Sequence, residues 1–259
     1  MKTRTTILMM LVAFSLITTA ILVVQVASVP TVKASEDAAV DEAIIAVEEV
    51  APEEAGAWSN PIILVHGYIG GYGLTPWGTL KSRLKSWGCP SNMIFEMRFS
   101  DAIFASNVDN AYELRDYVNY VLAVTGASKV DLIGHSMGGL SARYYIKFLG
   151  GASKVDDYVS LGTPQKGTIM AIIPLTWFTA GGVEMIPGSS FLNTLNSGDE
   201  TPGSVHYVAI YAYWDELVQP YWNAKLYDGA TNKGKYWVGH IGLLFDYTVA
   251  KWTRDAVKY

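Results

Sequence analysis

Apolar positions along this chain fall into short blocks that switch between two spacings. From Trp58 onward, short apolar runs that read as buried strands alternate with stretches whose apolar residues recur three and four apart, the period of a helix. The runs are Ile62–Val65 behind Pro61, Met93–Met97, Val130–Ile133, Val155–Leu161, Val205–Ala212 and Lys235–Val238. Between them, Trp77–Trp87 reads as a helix closed by Gly88 and Pro90. Val108, Ala111, Val118, Val121 and Leu122 share a helical face that Gly126 ends, Met137–Leu149 stops at Gly150-Gly151, and Phe245–Val257 reads as a closing helix. Alternation of this kind predicts an α/β fold with a mostly parallel central sheet and helices on both faces. In such a sheet chemistry collects in the loops beyond the carboxyl ends of the strands.

The first 57 residues follow a different pattern. Lys2 and Arg4 precede an apolar run from Ile7 to Val26, and Val32-Lys33-Ala34 follows. This predicts a signal peptide over residues 1–34. The run approaches membrane-spanning length, so an uncleaved anchor is the alternative. The basic flank puts the body outside the cytoplasm either way, secreted or held at the outer face of the membrane. Residues 35–57 carry eight acids and no base and read as an acidic linker or pro-segment.

Residues 58–259 carry sixteen acids and sixteen bases. A near-neutral body without a basic patch excludes nucleic acid as a partner, and no protein partner is implied. The single cysteine, Cys89, excludes an intramolecular disulfide, a cysteine metal site and a lipoprotein anchor. Four histidines without metal-ligand spacing give no reason to expect an obligatory metal, and no cofactor is expected.

Chemistry enters at Gly134-His135-Ser136-Met137-Gly138, between the run Val130–Ile133 and a helical pattern. A G-x-S-x-G segment between strand and helix is a nucleophile elbow, a tight turn that exposes a serine Oγ. Serine needs a base, and the base needs an orienting acid. His240, in Gly239-His240-Ile241-Gly242 after the last expected strand, is the candidate base. Asp215, just past Val205–Ala212, is the candidate acid, with Glu216 and Asp228 as rivals. The order Ser, Asp, His is that of an α/β-hydrolase. His66, His135 and His206 read as structural. Two backbone donors are needed where negative charge develops. Met137 supplies one, and Tyr68, in the glycine-rich loop His66-Gly67-Tyr68-Ile69-Gly70-Gly71, the other.

These segments together, Asn60 to Gly67, Gly134 to Gly139 and Gly239 to Leu244, resemble the small secreted bacterial lipases of the α/β-hydrolase fold, the class 2 lipases. The likeness covers most of residues 60–250. It implies a secreted serine hydrolase that cleaves carboxylic esters of lipids without a cofactor, with Ser136, His240 and Asp215 as triad and Tyr68 and Met137 as oxyanion donors. The substrate would be a lipid or ester, met at a lipid-water interface. Polyesters or thioesters would suit the same chemistry, and a hydrolase-fold binding protein without turnover is the alternative of another class. One departure from the smallest family members is an apolar insertion after Gly162. Residues 165–190 are a candidate lid or, equally, a buried helix pair. Ile69 in the donor loop and Trp177 and Phe178 in the insertion are the expected substrate-binding residues.

Overall fold

The computed structural model describes residues 58–68, 77–101, 103–172 and 178–257. The expected signal segment and linker, Ile69, Trp177 and part of the candidate lid lie outside the described residues.

Six strands among the described residues build one sheet: β1 (Ile62–Val65), β2 (Ile94–Met97), β3 (Val130–His135), β4 (Val155–Leu161), β5 (His206–Ala212) and β6 (Thr231–Lys235). Their order is β2-β1-β3-β4-β5-β6, and every pairing is parallel. The helices are α1 (Gly78–Ser86), α2 (Asn107–Thr125), α3 (Met137–Phe148), α4 (Ala180–Glu184), α5 (Ser190–Leu195) and α6 (Tyr247–Val257). Among the described residues no helix is long and apolar enough to cross a membrane.

The period-two alternation of the strands divides the core in two. Ile62 and Leu64 of β1 join Trp77, Leu84 of α1 and Val249 and Val257 of α6. Ile63 and Val65 join Leu114 and Val118 of α2 and Ala142 and Ile146 of α3 on the other face. Cys89 is buried in the first of these cores, and burial pushes its thiol up to about 11. Helix α2 starts on a capping box between Ser106 and Asp109 and ends at Gly126 in the left-handed conformation.

Two element boundaries differ from expectation in ways that matter to the site. Strand β3 runs two residues further, to His135, and delivers the chain directly to Ser136. The last strand is Thr231–Lys235, not Lys235–Val238. It is an edge strand paired only with β5, so hydrogen bonding rather than apolar burial defines it. The apolar residues that suggested the later position, Tyr236 and Trp237, are exposed, and Trp237 leaves the strand with φ +63°.

The insertion after β4 is divided. Ala171, Met185, Phe191 and Leu192 pack with Met137 and Leu140 at the start of α3. Ile169, Phe178 and Val183 face solvent. Glu184 ties the segment to the body by accepting from the main chain (2.6 Å) and side chain (2.8 Å) of Asn107, at the first turn of α2.

Candidate active site

Ser136 sits between β3 and α3 at φ 55°, ψ −131°, a backbone conformation that costs a non-glycine residue on the order of 1–3 kcal/mol. The surroundings leave no slack. A Cβ on Gly138 would lie 2.2 Å from the His66 carbonyl oxygen, and one on Gly134 would lie 2.6 Å from the Gly139 Cα. Glycine at both positions lets β1, β3 and α3 approach closely enough to form the turn. The Ser136 N–H donates to the Leu161 carbonyl (2.9 Å), locking the turn to the end of β4.

His240 and Asp215 meet as a buried pair, each 1 % exposed. The ring Nδ1 lies 2.9 Å from Asp215 Oδ2 and 3.1 Å from Oδ1. The Asp215 carboxylate also accepts from the Leu217 and Val218 main-chain N–H groups, at 2.9 and 2.7 Å. A carboxylate already collecting two donors acts on the ring as an acceptor, so Nδ1 carries a hydrogen toward it. Glu216 turns its carboxylate to the His240 main-chain N–H instead (2.9 Å). Asp228 accepts from the Glu200 N–H at 3.2 Å, away from the ring.

The Asp215–His240 pair meets the elbow through His135 and faces the chain at Gly162, just past β4. His135, next to Ser136, packs its ring on that of His240 with centroids 4.7 Å apart, and its Nε2 approaches the His240 carbonyl at 3.4 Å. Gly162 follows Leu161, the acceptor of the Ser136 N–H. A Cβ there would lie 3.1 Å from His240 Nδ1 and 3.2 Å from Asp215 Oδ2.

Sequence reasoning gave neither His135 nor Gly162 a part beside the base. The residue type alone carries no signal of it, because strand register decides which neighbours meet. Burial holds the His135 ring well below the usual histidine range, with the nearby His240 acting in the same direction, so His135 is neutral.

The expected oxyanion donors lie close to the serine in the chain or in space. Met137 is the first residue of α3, where main-chain N–H groups have no intrahelical acceptor. Gly67, next to Tyr68, passes against Ser136: a Cβ on it would lie 2.8 Å from Ser136 Cβ and 3.3 Å from Oγ. The Tyr68 phenol hydrogen-bonds with the Thr179 hydroxyl (2.7 Å), joining the donor loop to the insertion. His66 is structural, as expected. Its Nδ1 donates to the Gly67 carbonyl (2.8 Å) and its Nε2 accepts from the Phe99 N–H (3.3 Å). His206 lies at the far end of β5, bonded to Asp157.

Phe178 is 70 % exposed, one residue before Thr179. At the rim, Trp214 precedes Asp215 and Trp237 lies three residues before His240. Both are exposed, and their rings meet at 4.4 Å.

Among the described residues one cluster offers three carboxylates within 4.8 Å of one another: Asp131, Asp156 and Asp157. It lies at the amino ends of β3 and β4, opposite Ser136. Asn60, Lys129 and His206 already donate to these acids. Burial and the neighbouring Asp157 push Asp131 up to about 8.

The model of the family described as "Lipase (class 2)" matches residues 59–237. A triacylglycerol lipase of Burkholderia plantarii is 34% identical over 126 residues, 47% of this chain and 34% of that protein. One of Pseudarthrobacter phenanthrenivorans is 35% identical over 115 residues, 43% of this chain and 35% of that protein. The matched region thus spans about a third of the length of these curated relatives. Among solved structures, Aspergillus fumigatus lipase B superposes with a TM-score of 0.67 at 21% identity, over 79% of this chain and 54% of that one. A Bacillus licheniformis lipase in mature form gives 0.62 at 17% identity, over 79% and 95%. At these identities the structural likeness speaks for the α/β-hydrolase fold.

Proposed function

The chain belongs to the class 2 lipase family, and from that premise we propose that it is a secreted hydrolase of carboxylic esters of lipids, working through Ser136, His240 and Asp215. The observation that carries this reading is the buried Asp215–His240 pair, against whose imidazole packs the ring of His135, the residue before Ser136 in the elbow.

The residues divide the chemistry as follows. Ser136 Oγ attacks the ester carbonyl carbon while His240 Nε2 takes its proton. Asp215 keeps the ring in the tautomer that leaves Nε2 free and stabilises the imidazolium that forms. The Met137 and Tyr68 main-chain N–H groups receive the negative charge on the carbonyl oxygen. The ring returns its proton to the leaving alcohol, and the acyl group stays on Ser136. Water, deprotonated by the same ring, then releases the acid.

Ser136→Ala lowers kcat on soluble esters by about 10⁴-fold or more. An organophosphonate labels the native protein at Ser136 and leaves the variant unlabelled. Ester turnover near the native rate in Ser136→Ala ends this reading. Rates across esters of increasing acyl length define the substrate, for which the relatives' names suggest triacylglycerols. Secretion rests on the N-terminal pattern, and mass spectrometry of the mature N-terminus tests it.

A further inference from the structure

We propose that Glu216 is a positioning residue, whose carboxylate fixes the main chain that carries the base. The inference rests on the reading of His240 as that base. Two adjacent acids grip one histidine at two points. Asp215 holds the ring, and Glu216 Oε2 accepts the main-chain N–H of the same residue at 2.9 Å.

The second grip comes where the chain needs one. His240 stands at the head of the short turn Ile241–Leu244, where main-chain N–H groups lack partners within the turn. It follows a loop running from the edge strand β6, an element held on one side only. The carboxylate lies against the preceding residue too. A Cβ on Gly239 would come within 2.4 Å of Glu216 Oε2, 3.1 Å of Cδ and 3.2 Å of Oε1. Gly239 is therefore the seat of the carboxylate.

The loop that carries Glu216 is itself fixed. The Leu217 and Val218 N–H groups bond Asp215 Oδ1, and the Gln219 side-chain amide donates to the Asp215 carbonyl. One rigid turn after β5 thus sets both the ring and the backbone of His240. Asp215 holds the ring and His135 packs against it, but neither ties the His240 main-chain N–H. With Glu216 in place both ends of the residue are tied, and Nε2 has one direction in which to point. A displacement of about 1 Å in a reacting group costs on the order of 10²-fold in rate.

The test compares Glu216→Ala, Glu216→Gln and Gly239→Ala in the full chain. Active sites are titrated with an organophosphonate, so that kcat is counted per competent Ser136. Glu216→Ala lowers kcat per site by about 10- to 100-fold with KM little changed. Glu216→Gln, which keeps an oxygen acceptor, recovers most of that loss. Gly239→Ala, which evicts an intact carboxylate, reproduces the Glu216→Ala loss, and the double variant falls no further than either single one.

A merely structural role lowers the number of titratable sites and leaves kcat per site unchanged. That result overturns the proposal, as does a Glu216→Gln loss equal to that of Glu216→Ala. Ser136→Ala and His240→Ala run alongside. If both retain turnover, the reading of the site itself fails. If both abolish it and Glu216→Ala does not lower kcat, only the role of Glu216 fails.

Discussion

At the scale of single residues, the candidate site depends on which of several acids faces the imidazole. Asp215 does, through Nδ1 at 2.9 Å, whereas Asp228 is committed to the Glu200 N–H. Asp215→Asn presents an amide where the ring needs an acceptor and favours the wrong tautomer. It is expected to lower kcat by about 10⁴-fold, with a well-formed fold. Asp228→Asn is expected to leave kcat within a few-fold of native. Steady-state kinetics on a soluble ester checks both, and a larger loss in Asp228→Asn would reverse the assignment. Ser136, Asp215 and His240 stood out in the sequence as candidates because a serine triad needs those residue types and the α/β-hydrolase layout puts them in that order, each after a strand. The division of labour between Asp215 and Glu216 was not. Two neighbouring acids look alike until the turn geometry shows which carboxylate reaches the ring and which the main chain.

At the scale of elements, strand and helix positions followed from apolar spacing wherever burial was the organising force. β1, β3, β4, β5 and the three long helices fall close to their expected positions for that reason. The exception is β6, Thr-Asn-Lys-Gly-Lys, an edge strand whose polar residues carry no apolar signal. Two predictions belong here.

Ser106→Ala removes the acceptor at the start of α2 and is expected to cost about 1 kcal/mol, read by urea unfolding. Asp131 sits at the amino end of β3 with its carboxyl pushed up to about 8 from an ordinary value of 3.8. The groups facing it are Asn60, Asp156 and Asp157, with Lys129 and His206 bonded to the latter two. The folded protein therefore keeps a proton that the unfolded chain gives up near pH 3.8. The associated stability is full below that value and is lost as pH rises through about 8. Asp131→Asn keeps the uncharged form at every pH and is expected to flatten that decline. Thermal melts between pH 5 and 9 test it, and an unchanged slope in the variant would count against Asp131 as its source.

At the scale of the molecule, the sheet separates support from chemistry. Two apolar cores grip its faces, the acid cluster closes its amino end, and the candidate site gathers at its carboxyl end from loops after β1, β3, β4, β5 and β6. Leu132, at the centre of β3 and fully buried, tests the support. Leu132→Ala is expected to cost about 2–5 kcal/mol and to lower Tm by several degrees without moving the pH profile of kcat. The fold class was legible because alternation of strand and helix admits few layouts. The insertion was less so, since its apolar residues split between a small third core and solvent.

The paired indoles of Trp214 and Trp237 turn the site rim into an optical probe. Trp58 and Trp77 are buried, whereas this pair is 58% and 77% exposed, as is Trp222 at 53%, and the pair sits one and three residues before Asp215 and His240. Acrylamide at low concentration should quench the red-edge emission of the pair and of Trp222 before that of the buried indoles. Trp237→Phe should remove its part of that fraction and leave that of Trp222. A change in solvent access at the rim of the site then becomes visible in a cuvette, in a protein with no label attached.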